Sequence, residues 1–120
     1  MSKYTIFIPR WHPAKINELL RGHWSKGNRL KKRDRTLVWS YAKDAKIPHA
    51  EGKRRLCVEI ILDKGQRGGD VDAYHKSLCD ALKHARLIKD DNRQWLEIAP
   101  VAFGRDELWG TEITLEDLTP

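Results

Sequence analysis

The sequence of 120 residues predicts a small α/β domain, one fold unit over residues 1–120, with a mixed sheet and two main helices. Three observations carry that expectation. Residues 55–63, RLCVEIILD, are rich in β-branched side chains and suit a central strand. Residues 30–46 and 71–86 each space their apolar side chains at helical period. Strand-like and helix-like segments alternate, in the order β-α-β-α-β-β.

Each element follows from its residues. Residues 4–8, YTIFI, alternate in polarity and end at Pro9 and Pro13, as a first strand would. Residues 10–29 show no clean period and contain Gly22 and Gly27, so they read as a long basic loop with a helical turn near residues 17–20. In residues 30–46 the stripe is Leu30, Leu37, Val38, Tyr41, Ala42 and Ala45, with Asn28 as cap and Pro48 after the end. Lys31, Lys32 and Arg33 then fall in the first turn, where cations oppose the helix dipole. Bound phosphate would favour them there, and a solvated basic face accounts for them equally well. Residues 64–69, KGQRGG, read as a flexible basic loop. Tyr74, Leu78, Ala81, Leu82 and Ala85 define the second helix. Residues 94–103 and 109–115 read as two strands joined by a turn at residues 104–106.

Composition narrows the function classes. No apolar run approaches the roughly 20 residues of a membrane helix, and the first residues are too weakly apolar for a signal peptide. Cys57 and Cys79 do not make a disulfide framework; reduced buried thiols in a cytoplasmic protein are expected. The formal net charge is +6, and it is divided unevenly. Residues 1–67 hold 17 Lys/Arg against 6 Asp/Glu, while residues 68–120 hold 6 against 11. A strongly basic half suits a polyanionic partner. An acidic cluster inside such a chain calls for a separate explanation.

That cluster is the stretch GGDVDAYHKSLCD with the later pair Asp90-Asp91. Asp70 and Asp72 lie two apart, and in extended backbone such residues point to one side. Asp72 also occupies an N-cap position. Asp72, Lys76 and Asp80 fall at i, i+4 and i+8, one polar ridge apart from the Leu78/Leu82 stripe. An ordinary acid–base ladder explains Asp72 and Lys76 as well as a site does. Asp90 and Asp91 return just after the helix should end, where a short turn brings them back toward Asp70 and Asp72. Three or four converging carboxylates make a hard-oxygen site suited to Mg²⁺ or Mn²⁺. Such an ion removes the mutual repulsion, activates water and stabilises charge on a phosphoryl oxygen. A lysine beside it can neutralise the phosphate or orient the water. Lys26, Arg29, Lys31, Lys32, Arg33, Lys64 and Arg67 are the candidate contacts to a nucleic-acid backbone.

The run DVDAYHKSLCDALKHARLIKDD resembles the signature of the RusA-type Holliday-junction resolvases: Asp-x-Asp, Lys four after the second Asp, Asp-Ala-Leu, then Asp-Asp after a short turn. Chain length and predicted element order fit as well; outside residues 70–91 the match is loose. The resemblance implies a small α/β homodimer that nicks two opposing strands of a four-way DNA junction using Mg²⁺. It assigns Asp70, Asp72 and Asp91 as metal-binding catalytic carboxylates, Asp90 as an auxiliary acid and Lys76 as the catalytic lysine. Asp80 matches a motif position and is expected to support the site from behind. A cytoplasmic, nucleoid-associated setting follows. One departure stands out: the family commonly has Asn after the second Asp, and here it is Ala73.

Other residues carry weaker signals. His75, Cys79 and His84 lack the spacing of a zinc site and read as helix-flank residues. Of the five tryptophans, Trp39, Trp95 and Trp109 are expected in the core or an interface. Trp11 and Trp24, in the basic loop, are candidates to stack on unpaired bases. The paired glycines before Asp70 would allow a sharp turn or close approach of DNA. Two rival functions stay open: a non-catalytic branched-DNA-binding module, and a nuclease of the same type acting on flaps, forks or RNA.

Overall fold

A computed structural model of the chain describes residues 2–20, 24–69 and 72–118. Among these, five strands and three helices follow in the order β1 (Lys3–Pro9), α1 (Ile16–Leu20), α2 (Trp24–Asp44), β2 (Arg54–Leu62), α3 (His75–His84), β3 (Leu96–Ile98), β4 (Ala102–Arg105) and β5 (Gly110–Asp117). They form one small α/β domain around a mixed sheet. No helix among the described residues is long and apolar enough to cross a membrane.

β2 is central, as its composition predicts. It pairs antiparallel with β5, which pairs antiparallel with β1 at the edge. Its other side is shared by β3 and β4, both parallel to it. The parallel pairing requires a crossover, and α3 supplies it. Along β2, Arg54, Leu56, Val58, Ile60 and Leu62 are buried while the alternate residues are half-buried. The buried side meets Val38 and Ala42 of α2 and Leu78, Ala81 and Leu82 of α3 in one core. Each fully buried Leu or Ile there contributes about 1.5–3 kcal/mol. Arg54 lies in the same row at 2% exposure. It donates to Asp117 at 2.7 Å and to the Leu87 carbonyl at 2.9 Å, and lies over the Tyr4 ring.

Three sequence expectations are corrected. The helical turn expected near residues 17–20 is α1, but the predicted loop over residues 10–29 also holds the first six residues of α2. Gly27 does not break the helix; it is buried where α1 crosses, and an added Cβ would stand 2.7 Å from the Leu19 carbonyl oxygen. Asn28 is therefore inside α2 instead of capping it. Lys31, Lys32 and Arg33 lie beyond the first turn, where the dipole argument no longer applies.

The single strand expected over residues 94–103 is two strands. β3 continues through an Ala99 N–H bond to the Leu56 carbonyl, then breaks at Pro100, which has no N–H to give. Finally, α3 begins at His75, not near residue 71. Residues 72–74 form a turn, Tyr74 occupies the N-cap without a side-chain hydrogen bond, and Asp72 is not the cap.

Both long helices end alike. Ile47 N–H reaches the Ala42 carbonyl and Lys46 N–H the Lys43 carbonyl; Leu87 reaches Leu82 and Arg86 reaches Lys83. These are Schellman motifs, and they require left-handed backbone at Lys46 (φ 56°) and Arg86 (φ 61°).

Candidate functional site

The site is built on α3, and a carboxylate that the sequence reading passed over holds α3 in place. Asp34 of α2 is fully buried. It accepts hydrogen bonds from Trp11 Nε1 (2.9 Å), the Ala14 N–H (2.8 Å) and Ser77 Oγ (2.6 Å). Arg33 pairs with it at 2.8 Å. Three segments, residues 11–14, α2 and α3, thus meet on one charge, which is tolerable in the interior only because it is paired and fully bonded. The signal was present: position 34 falls between Leu30 and Val38 on the apolar stripe of α2. The same network corrects the expectation for Trp11, which is 5% exposed and anchors the chain instead of offering a face to bases. Trp24 opens α2, and its side chain lies outside the described residues.

A second link fixes how α3 lies on α2. Arg35 and Asp80 form a two-pronged ion pair at 2.8 and 3.0 Å. The guanidinium holds the Asp80 carboxyl below its ordinary range. Asp80 therefore joins two helices. Ser77 and Asp80 face α2, so the helical period turns His75 and Cys79 to the opposite flank of α3.

That flank is where the acidic segments lead. Asp72 is exposed in the turn before α3, near enough to His75 for its charge to oppose the fall in the imidazole pKa that burial causes. Asp91 is exposed and near Cys79; burial first, then this carboxylate, push the thiol up to about 11. His75 and Cys79 are one turn apart, so both acidic segments bear on one face of one helix. His75 Nε2 is buried with no hydrogen-bond partner among the described residues.

Asp70 lies outside the described residues. Asp90 turns aside: it accepts from the Asp91 N–H at 2.8 Å and pairs with Lys83 at 3.2 Å, and these bonds lower its pKa. Lys76 is exposed in the first turn of α3. Among the described residues no three His, Cys, Asp or Glu side chains form a group that could hold a metal ion. Asp72 and Asp91 are exposed carboxylates, of the kind Mg²⁺ takes with water completing its shell.

The loop leading to the site is shaped by contacts. An added Cβ on Gly68 would stand 2.7 Å from the Phe103 ring, so this glycine serves packing against Phe103. The Gly69 N–H donates to Tyr74 Oη at 3.1 Å, and the Ile16 N–H to the Ala73 carbonyl at 2.8 Å. Ala73 is half-buried against the core.

Of the expected nucleic-acid contacts, Lys64 and Arg67 are exposed on this loop, and Lys26, Arg29, Lys31 and Lys32 lie along α2. Arg33 is occupied by Asp34 and the His12 carbonyl. An open cavity of about 500 Å³ lies nearby, walled by Arg10, His12, Lys15, Arg67, Tyr74 and Trp109. His12 donates Nε2–H to the Ile61 carbonyl at 2.9 Å. The basic character of this hollow was not anticipated from the sequence, because it is assembled from distant segments. A scan against protein-family models finds no match for the chain, and a search of curated proteins finds none either.

Proposed function

We propose that the chain is a Mg²⁺-dependent, structure-selective DNA endonuclease that resolves four-way junctions by paired symmetric nicks as a homodimer. The observation that carries this reading is that Asp72, in the turn before α3, and Asp91, in the segment after it, are both exposed carboxylates in a chain of net charge +6. The resemblance of residues 70–91 to the RusA-type signature supports it. Asp70, Asp72 and Asp91 would hold the ion. When bound, the ion supplies an activated water and charge stabilisation at the phosphodiester.

The chain's own residues do the rest. Lys76, exposed in the first turn of α3, would meet the negative oxygens of the scissile phosphate. Lys64 and Arg67 would hold the adjoining backbone, and phosphate contacts of this kind fix register without reading sequence. Asp80 serves the site through Arg35, by keeping α3 seated. Two copies related by a two-fold axis would match the near-symmetry of a four-way junction. Such a substrate implies a cytoplasmic, nucleoid-associated setting.

A non-catalytic branched-DNA-binding module is the second reading. Two acids of the motif, Asp80 and Asp90, are engaged in ion pairs and so have structural uses. Calorimetric titration with Mn²⁺ separates the readings. The nuclease predicts a binding isotherm in the wild type that Asp72→Asn and Asp91→Asn each abolish. A wild type that takes up no Mn²⁺ favours the module.

A further inference from the structure

The outer surface of α2 carries a feature that the carboxylate site does not use. Lys31, Arg35, Trp39 and Lys43 stand at i, i+4, i+8 and i+12, one row along the helix, about 18 Å from end to end. Trp39 is 48% exposed, unusual for a side chain of its size outside an interface. Two open cavities meet at it, of about 750 Å³ toward Lys31, Lys32 and His84, and about 580 Å³ toward Lys43, Lys46 and His49. Lys43 Nζ stands 4.7 Å from the centre of the indole ring. Arg35 is neutralised by Asp80. Lys31, Lys32, Lys43 and Lys46 pair with no carboxylate among the described residues. The walls add one further acid, Glu51.

We infer that this row is a binding track for single-stranded nucleic acid, with Trp39 stacking on an unpaired base and the lysines meeting the phosphates. The composition selects the occupant. An exposed indole among unpaired cations is the pairing that single strands require. In a duplex the base faces are already stacked on one another and would leave Trp39 unused. A second copy of the chain fits poorly, because a two-fold axis through this face would set lysines against lysines. The track lies across α3 from Asp72 and Asp91, since Asp80 faces α2 while His75 and Cys79 face away. It stands on the α2 surface alone and holds whether or not the carboxylates bind metal.

The test is fluorescence anisotropy with a labelled 20-nucleotide oligo-dT in EDTA, over a range of salt. The variants are Trp39→Ala and the double variant Lys31→Glu/Lys43→Glu, with Trp39 and Lys43 exposed and Lys31 half-buried, and folding is checked by circular dichroism. Trp39→Ala is expected to weaken binding about tenfold, and a duplex of equal length to show a smaller loss. The double variant is expected to weaken binding more than tenfold and to flatten the log–log salt slope by about 1.4. Absence of oligo-dT binding by the wild type, or binding by both variants at wild-type strength, overturns the inference. So does a wild-type dimer that Trp39→Ala splits into monomers without weakening binding, which would make this face a protein interface. Asp72→Asn is expected to bind oligo-dT as the wild type does, so failure of the nuclease reading and failure of the track give different results.

Discussion

Ser77 on α3 donates a 2.6 Å hydrogen bond to the carboxylate of Asp34, which is wholly buried on α2. The bond ties the helix that carries Lys76 to the network of Trp11, Ala14 and Arg33. Asp34→Ala would leave the buried Trp11 and Ala14 N–H groups and the Ser77 hydroxyl without their acceptor, and a loss of about 3–5 kcal/mol is expected. Ser77→Ala removes one charge-assisted bond and should cost about 1.5–3 kcal/mol. Urea unfolding of the two variants checks both values and their order.

The Arg35–Asp80 pair gives stability a defined pH dependence. The guanidinium lowers the folded-state pKa of Asp80 below its unfolded value of about 3.9. Its contribution is therefore present above about pH 4 and is lost as pH falls through the folded value. The pair is partly open to solvent, so about 0.5–1 kcal/mol is expected, less in high salt. Asp80→Asn should be less stable than wild type by this amount at pH 7, and the difference should vanish at low pH.

Cys79 should be chemically quiet. With its thiol raised to about 11, mainly by burial, about one molecule in a thousand carries the thiolate at pH 8. Iodoacetamide at pH 8 should leave Cys79 unlabelled in the native protein and label it fully in urea, as read by mass spectrometry of the peptides. Rapid native labelling would contradict the burial of Cys79.

Arg86 occupies the left-handed position after α3, where a side chain is strained and glycine is not. Its side chain is exposed. Arg86→Gly is expected to raise stability by about 0.5–1 kcal/mol in the same urea assay, an uncommon direction for a point substitution.

Much of this architecture is visible in the residues themselves. Alternation in β1, β-branching in β2 and the Tyr74–Leu78–Leu82 stripe announce their elements. Most of the failures share a cause: they depend on a partner distant in sequence. Residues 24–29 of α2 carry little apolar period, and their helix is supported where Gly27 meets Leu19. Asp34 reads as one more surface charge until Trp11, Ala14 and Ser77 converge on it. The break between β3 and β4 is written in Pro100, but that both halves pair with β2 is not a local property. The Lys46 and Arg86 turns lack the glycine that usually marks them.

The central claim is metal-dependent cutting of branched DNA at the flank of α3 that Asp72 and Asp91 share. A labelled mobile four-way junction, digested with Mg²⁺ or with EDTA and mapped on sequencing gels, tests it directly. Paired nicks at symmetric positions in opposing strands are predicted, dependent on Mg²⁺ and absent in Asp72→Asn, which should still bind the junction. Full cleavage by Asp72→Asn, or no cleavage of any branched DNA by the wild type in Mg²⁺, would contradict the account.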